Sequence, residues 1–423
     1  MRRLYTLLLY LLTPLVLLRL MWRGLRAPAY LRRWPERFGY FPVPPAAGVI
    51  WIHAVSVGEV QAAAPLVRAL RERYPGVPLL LTTTTPTGSD RAREAFGRDV
   101  VHVYAPYDLP GAVRRFLVRV RPRLAVVMET ELWPNLFHAC REAGVPLVVA
   151  NARLSPRSAA GYRRVASLTR RTLANVSVIA AQSRRDADDL ISIGADPQRV
   201  QVTGNVKFDV RLPASLHEQA QVLRRAWGAA RPVWIAASTH EGEEERVLDA
   251  FERVRQALPD VLLVLVPRHP ERFSRVAALC RRRGYATRLR SERRACTPDT
   301  AVFLGDSMGE LSLFYAASDV AFVGGSLVSA GGHNLLEPAA LGLPVIFGPH
   351  VFNFEEISRL LLEQGAARRV RDAEELAGVV EQLLRDANLR HSAGEQGRQA
   401  VERNRGAVDR VMQMLAGYVE REV

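Results

Sequence analysis

The chain has 423 residues, 48% hydrophobic and 24% charged, which suits two globular domains and excludes a disordered protein. Its formal net charge is +15, with 58 Lys+Arg against 43 Asp+Glu, and favours anionic partners. No aromatic-basic run or zinc-finger spacing accompanies that charge, so nucleic acid is not an expected partner. Cys140, Cys280 and Cys296 are odd in number and match no metal-ligand spacing, which predicts a reducing compartment.

At the N-terminus Arg2-Arg3 precede LYTLLLYLLTPLVLLRLMW. The run Leu4–Leu18 is apolar apart from Tyr and Thr, and Arg19 and Arg23 follow it. It is shorter than the roughly 20 residues of a comfortable membrane span. Ala27-Pro28-Ala29 resembles a signal-peptide cleavage site, but three arginines separate it from the apolar run. An uncleaved anchor, with Trp22 and the flanking arginines at headgroup level, is the better reading.

Two halves then repeat one rhythm. VIWIHAV, PLLLTTTT, VVHVYAP, LAVVMET, PLVVANA and VIAAQS read as strands apolar on both faces, with helical stretches between them. The pattern pauses at NVKFDVRLPAS and restarts with PVWIAAS, VLLVLVPR, VFLGD, VAFVGGS and PVIFGP. The boundary falls near residues 206–215, and the chain ends in amphipathic helices from about Asp372. The fold class is α/β with two doubly wound sheets, whose ligands bind beyond the carboxyl ends of the strands. Residues just after strands are therefore the candidates.

G-x-G-x-x-G, P-loop, H-E-x-x-H and G-x-S-x-G patterns are missing. Asp186-Ala187-Asp188 reads as first-turn acids of a helix capped by Ser183. In VAFVGGSLVSAGGHNLLEP a strand leads into a glycine-rich loop and a short helix. Such a loop brings backbone N–H groups to a phosphate, and Glu337 is placed to accept ribose hydroxyls. Spacing alone leaves open a plain strand–loop–helix with an exposed Glu337. Pro267-Arg268-His269 and Met308-Gly309-Glu310 follow strands in the same half. In the first half Glu129 and Glu131 follow a strand, where a carboxylate needs pairing or a function. Asn151, Arg153, Ser155, Arg157 and Ser158 form a polar loop suited to anions, and TTTTPTGSDRA reads mainly as a helix cap. Lys207, at the interdomain boundary, has a leaving phosphate or a nearby carboxylate as its expected partner. Glu59, in VIWIHAVSVGEV, is either a first-turn helix acid or a base.

RFGYF, HAVSVGEV, METELWPNL, NARLSPRSAAGY, TGNVKFD, STHEGEE, VPRHPERF, DSMGEL and GGSLVSAGGHNLLEPAALGLPVIFGPHVFNF occur in this order over nearly the whole chain. Together they resemble the 3-deoxy-D-manno-octulosonic acid (Kdo) transferases of lipid A synthesis. The resemblance implies a GT-B glycosyltransferase, two Rossmann-like domains facing a cleft, with an N-terminal hydrophobic membrane-anchor helix. Its parts would be an anchor over 1–27, an acceptor-binding domain over 28–208, and a CMP-Kdo-binding domain with terminal helices over 209–423. It implies inverting transfer of Kdo from CMP-Kdo to a lipid A precursor, at the cytoplasmic side of the inner membrane. No cofactor or metal is implied, CMP-Kdo being a substrate.

Carried onto this sequence, Glu59 resembles the proton acceptor, and Glu129 and Lys207 resemble transition-state-supporting residues. Pro267-Arg268, Met308-Gly309-Glu310 and Asn334-Leu335-Leu336-Glu337 resemble nucleotide-contacting segments, and Arg153, Ser155 and Arg157 are candidates for an acceptor or sugar anion. Leu335 departs from relatives that carry proline there, a neutral change for a backbone contact. The helix start beside Glu59 is expected to keep it ionised. A GT-B enzyme using a UDP-sugar is the rival enzyme, and a lipid-binding scaffold the rival non-enzyme.

Overall fold

The structure is a computed structural model and describes residues 1–43 and 47–420. The chain forms two compact units, one of Met1–Asp209 joined by the chain's end from Asn404 onward, the other of Val210–Arg403.

The first unit is built on β1 (Ile50–His53), β2 (Leu79–Thr83), β3 (Val101–Tyr104), β4 (Leu124–Met128), β5 (Leu147–Ala152), β6 (Val178–Ala181) and β7 (Val200–Val202). These pair in parallel in the order β3-β2-β1-β4-β5-β6-β7. The strands β1, β2 and β4 are buried throughout, as their unbroken apolar runs require. Helices cover both faces. Ile50 and Ile52 point to one core with Val60, Leu66 and Val67, while Trp51 points to the other with Phe116 and Phe137.

The second unit holds β8 (Val233–Thr239), β9 (Leu262–Pro267), β10 (Thr287–Leu289), β11 (Val302–Leu304), β12 (Val320–Val323), β13 (Val345–Phe347) and β14 (Ala367–Arg369). Their order is β10-β11-β9-β8-β12-β13-β14, again parallel. Without the edge strands β10 here and β7 there, the two sheets have the same strand order. In each sheet the chain reverses direction at one place, between β1 and β4 in the first and between β8 and β12 in the second. Loops leaving two strands in opposite senses open a crevice there.

Two sequence expectations change. The terminal helices do not all belong to the second domain. The helix Ala407–Val419 packs on the first unit, burying Val408, Val411, Met412, Leu415 and Val419 in the core of Ile50 and Val60. The Asp209 carboxylate accepts from the backbone N–H groups of Gly406 and Val408, both at 2.6 Å, and Arg410 Nε donates to the Thr203 carbonyl at 2.7 Å. An apolar stripe at helical spacing reports burial, but not which sheet buries it. The N-terminal helix is also longer than its apolar run: it covers Arg2–Arg26, 25 residues, long and apolar enough to cross a membrane by length and composition.

Candidate functional site

In the first unit the loops after β1 and β4 carry the candidate carboxylates. Ser56 caps the helix Val57–Arg73, its hydroxyl accepting from the Glu59 N–H at 3.2 Å. The Glu59 carboxyl folds back, accepting from the Ser56 hydroxyl at 2.9 Å and the Val55 N–H at 2.8 Å. This is a variant of the capping box, in which the side chain reaches one residue before the cap. The expectation that the helix start keeps Glu59 ionised is overturned. Burial, joined by the Glu131 charge, outweighs the two hydrogen bonds and pushes its pKa up to about 8. The helix cap orients the carboxyl, and the dry, acidic surroundings hold its proton.

Glu129 follows β4 with a left-handed backbone, φ 55°, a conformation that a non-glycine residue adopts at a cost. Its carboxylate is paired twice, with Lys207 Nζ at 3.2 Å and Arg153 Nε at 2.8 Å. Lys207 therefore reaches the neighbouring carboxylate. Glu131 accepts from the Trp133 indole N–H at 2.7 Å, and burial raises its pKa despite that bond. Asn151 is not on a polar loop. It is buried in β5, and its Oδ1 accepts from the Val206 N–H at 3.1 Å, fixing the turn that presents Lys207. Of the anion-binding candidates, Arg153 reaches the cluster. Ser155 is occupied in capping the helix Pro156–Arg164 by accepting from the Ser158 N–H, and Arg157 is exposed on that helix. Asp186 caps its own helix with Ser183, as the sequence indicated.

His53, at the end of β1, was not singled out by the sequence. Thr82 Oγ1 accepts from Trp51 Nε1 at 2.9 Å and lies 2.8 Å from His53 Nδ1. Full burial lowers the ring's pKa to about 3, so the imidazole is neutral, and its Nε2 has no hydrogen-bond partner among the described residues. A histidine inside a strand otherwise apolar on both faces was the available signal.

In the second unit the glycine-rich loop is not open to a phosphate along its whole length. Glu243, fully buried, fills its first part: Oε2 accepts from Gly325 N–H at 2.7 Å, and Oε1 from Leu327 at 2.9 Å and Ser326 at 3.1 Å. The close approach explains Gly324, where a Cβ would stand 2.7 Å from Glu243 Oε2 and 2.9 Å from the Ala237 carbonyl oxygen. The expectation of a phosphate cradle is thereby narrowed to the loop's later part. There Asn334 Oδ1 accepts from Leu336 N–H at 3.1 Å, and Asn334 Nδ2 donates to Glu337 Oε1 at 3.1 Å. Leu335 and Leu336 are buried, so only their backbone is available to a ligand. His240 and His333 stack at 5.0 Å with Nε2 atoms 2.8 Å apart, beside Gly325. Burial and the neighbouring His269 lower the His240 pKa.

Arg268 follows β9, where its N–H donates to the Thr239 carbonyl at 3.0 Å. Met308 and Gly309 are exposed, while Glu310 is held by Arg290 at 2.6 Å and by Ser307 at 2.5 Å. That pairing lowers its pKa and makes it a structural anion. Because β11, β9, β8 and β12 run parallel, these segments all leave the same edge of the second sheet.

Two seven-stranded parallel sheets of this topology, with carboxylates at one switch point and a glycine-rich loop at the other, place the chain in the GT-B fold class. A family profile described as "Glycosyl transferases group 1" matches residues 235–400. One described as "3-Deoxy-D-manno-octulosonic-acid transferase (kdotransferase)" matches residues 32–210. The 3-deoxy-D-manno-octulosonic acid transferase of Haemophilus influenzae is 44% identical over 99% of both chains. That of Bordetella pertussis is 41% identical, also over 99% of both. The chain belongs to the 3-deoxy-D-manno-octulosonic acid transferase family. The UDP-GlcNAc 2-epimerase structure from Neisseria meningitidis shares the fold alone, at 14% identity and TM-score 0.56, over 88% of this chain and 100% of that one.

Proposed function

We propose that the protein moves Kdo from CMP-Kdo to a hydroxyl of a lipid A precursor, the tetraacyl disaccharide bisphosphate lipid IVA, with inversion. The observation that carries this reading is the carboxylate cluster at the switch point of the first sheet, on a chain of this family. Glu59 takes the proton of the acceptor hydroxyl as its oxygen bonds to the anomeric carbon of Kdo. The bond from that carbon to the phosphate oxygen breaks, and CMP leaves with the electron pair. Glu129 and Lys207, locked together, support the transition state, and Arg153 holds Glu129 from its other side. Arg268, the exposed backbone of Met308–Gly309 and the segment Asn334–Glu337 hold CMP. Glu337, oriented by Asn334, serves the ribose.

No metal enters the reading, so EDTA is expected to leave turnover unchanged. The helix Arg2–Arg26 attaches the enzyme to the inner membrane, with both units on the cytoplasmic side where CMP-Kdo is available.

Mass spectrometry of the product from CMP-Kdo and lipid IVA tests the reading, and absence of a Kdo-extended lipid overturns it. Competition by CMP but not UDP separates it from a UDP-sugar enzyme. Glu337→Ala is expected to weaken CMP binding about tenfold or more, since a hydrogen bond to a charged group contributes ~1.5–3 kcal/mol. Unchanged CMP affinity by calorimetry removes Glu337 from the nucleotide site.

A further inference from the structure

We propose that the helix Arg2–Arg26 lies in the plane of the membrane, along one leaflet with anionic headgroups, and does not cross it. The inference rests on the membrane attachment proposed above and adds how that attachment is made.

A helix that crosses a bilayer carries its two ends to opposite sides. Here both ends are fixed to the same unit. At the N-terminal end the Tyr5 hydroxyl donates to Asp108 Oδ2 at 2.9 Å and the Thr6 hydroxyl to Asn135 Oδ1 at 2.9 Å. Arg2 stands close enough to Asp108 to pull on its carboxyl. These partners are themselves rigid. The Asp108 carboxylate accepts from the Asn135 and Leu136 N–H groups at 3.1 and 2.7 Å, capping the helix Pro134–Glu142. At the other end the chain turns at Gly24, where a Cβ would stand 2.3 Å from Leu31. It is then sewn to the sheet: Glu36 accepts from the Tyr104 N–H at 2.8 Å, and Arg37 donates to the Thr84 carbonyl at 2.8 Å. At about 1.5 Å per residue the helix is roughly 37 Å long, more than a ~30 Å hydrocarbon core, yet neither end leaves the unit.

Burial along the helix follows the same geometry. Tyr5, Thr6, Leu9, Thr13, Leu17, Leu20 and Gly24, at helical spacing, are partly or fully covered. The exposed stripe is broad and apolar: Leu4, Leu7, Leu11, Leu15, Leu18 and Met21 are each half exposed or more. Of the covered residues, Tyr5 and Thr6 bond to the unit, contacts that a helix surrounded by lipid would forgo. An in-plane helix can set this bare apolar surface in the acyl boundary while its covered stripe rests on the protein. The charges agree: Arg2 and Arg3 flank one end, Arg19, Arg23 and Arg26 the other, and the helix has no acidic residue. Anionic headgroups are the complementary surface.

The test uses the full-length protein with Cys296→Ser, Cys140 and Cys280 being buried. Arg3→Cys and Arg26→Cys variants are bound to sealed vesicles of phosphatidylethanolamine and phosphatidylglycerol, and a membrane-impermeant maleimide is added outside. The expected result is that both positions label fully without detergent. Labelling of Arg26→Cys alone, with Arg3→Cys reacting only after lysis, overturns the in-plane helix and leaves membrane attachment intact. Failure of either protein to float with the vesicles overturns both readings. A dimer that leaves the vesicles unbound assigns the exposed stripe to a second copy and also overturns the proposal.

Discussion

Glu59→Gln is expected to lose turnover and gain stability at once. Removing a general base costs about 10²–10⁴-fold in rate. CMP binding should be unchanged, because the segments proposed to hold CMP lie on the second unit. The pH dependence follows from the pKa near 8. Roughly a tenth of the base is ionised at pH 7, so kcat/KM should rise about tenfold per unit at low pH and level off above 8.

The stability effect has the opposite sense. The folded protein holds the Glu59 proton more tightly than the unfolded chain, whose value is near 4.5. The stability of the neutral, buried carboxyl is fully present below pH 4.5 and is lost as pH rises through about 8. A glutamine stays neutral, accepts from Val55 and donates to Ser56. The melting temperature of the variant should therefore exceed that of the parent by a margin that widens from pH 6 to pH 9. Near-normal turnover in the variant sinks the base assignment. A constant margin shows that the carboxyl is already ionised at pH 6.

Glu243→Ala should be the most damaging change in the second unit. It strips the partner from three loop N–H groups, at Gly325, Ser326 and Leu327. An orphaned buried donor costs about 1–3 kcal/mol, so a loss of the order of 3 kcal/mol is expected even after water enters. Amide exchange at those three residues should accelerate sharply, and CMP affinity should fall as the loop carrying Asn334 and Glu337 loosens. Glu243→Gln, which keeps one acceptor oxygen, should be milder on both counts. Unaltered exchange at Gly325–Leu327 in the alanine variant contradicts the bracing role.

The central strands were legible because a strand buried on both faces leaves an unbroken apolar run. The three strands absent from the sequence reading, β7, β10 and β14, all lie at sheet edges. Each has three residues, carries polar or charged side chains and is partly exposed, so no apolar run marks it. Glu59 and Glu129 were legible as carboxylates beyond apolar strands. The protonation of Glu59 was not, because it depends on burial contributed by distant segments and on Glu131. Glu243 was hidden for a related reason. In STHEGEE it reads as one of several first-turn acids, and only the fold brings the loop after β12 onto it. Asn151 was misread as a loop residue because its role is to hold a turn 55 residues further on.

The return of the final helix to the first unit sets an order of assembly during synthesis. The second unit is complete once residue 403 has left the ribosome, but the first is not. Its core still lacks Val411, Met412 and Leu415, and the carboxylate of Asp209 still awaits Gly406 and Val408. The later-made unit can close first, while the earlier-made one, with the helix Arg2–Arg26 and Glu59, stays unfinished until the helix Ala407–Val419 has been made. A chain cut after Arg403 would thus hold an intact second unit joined to a first unit with an open core.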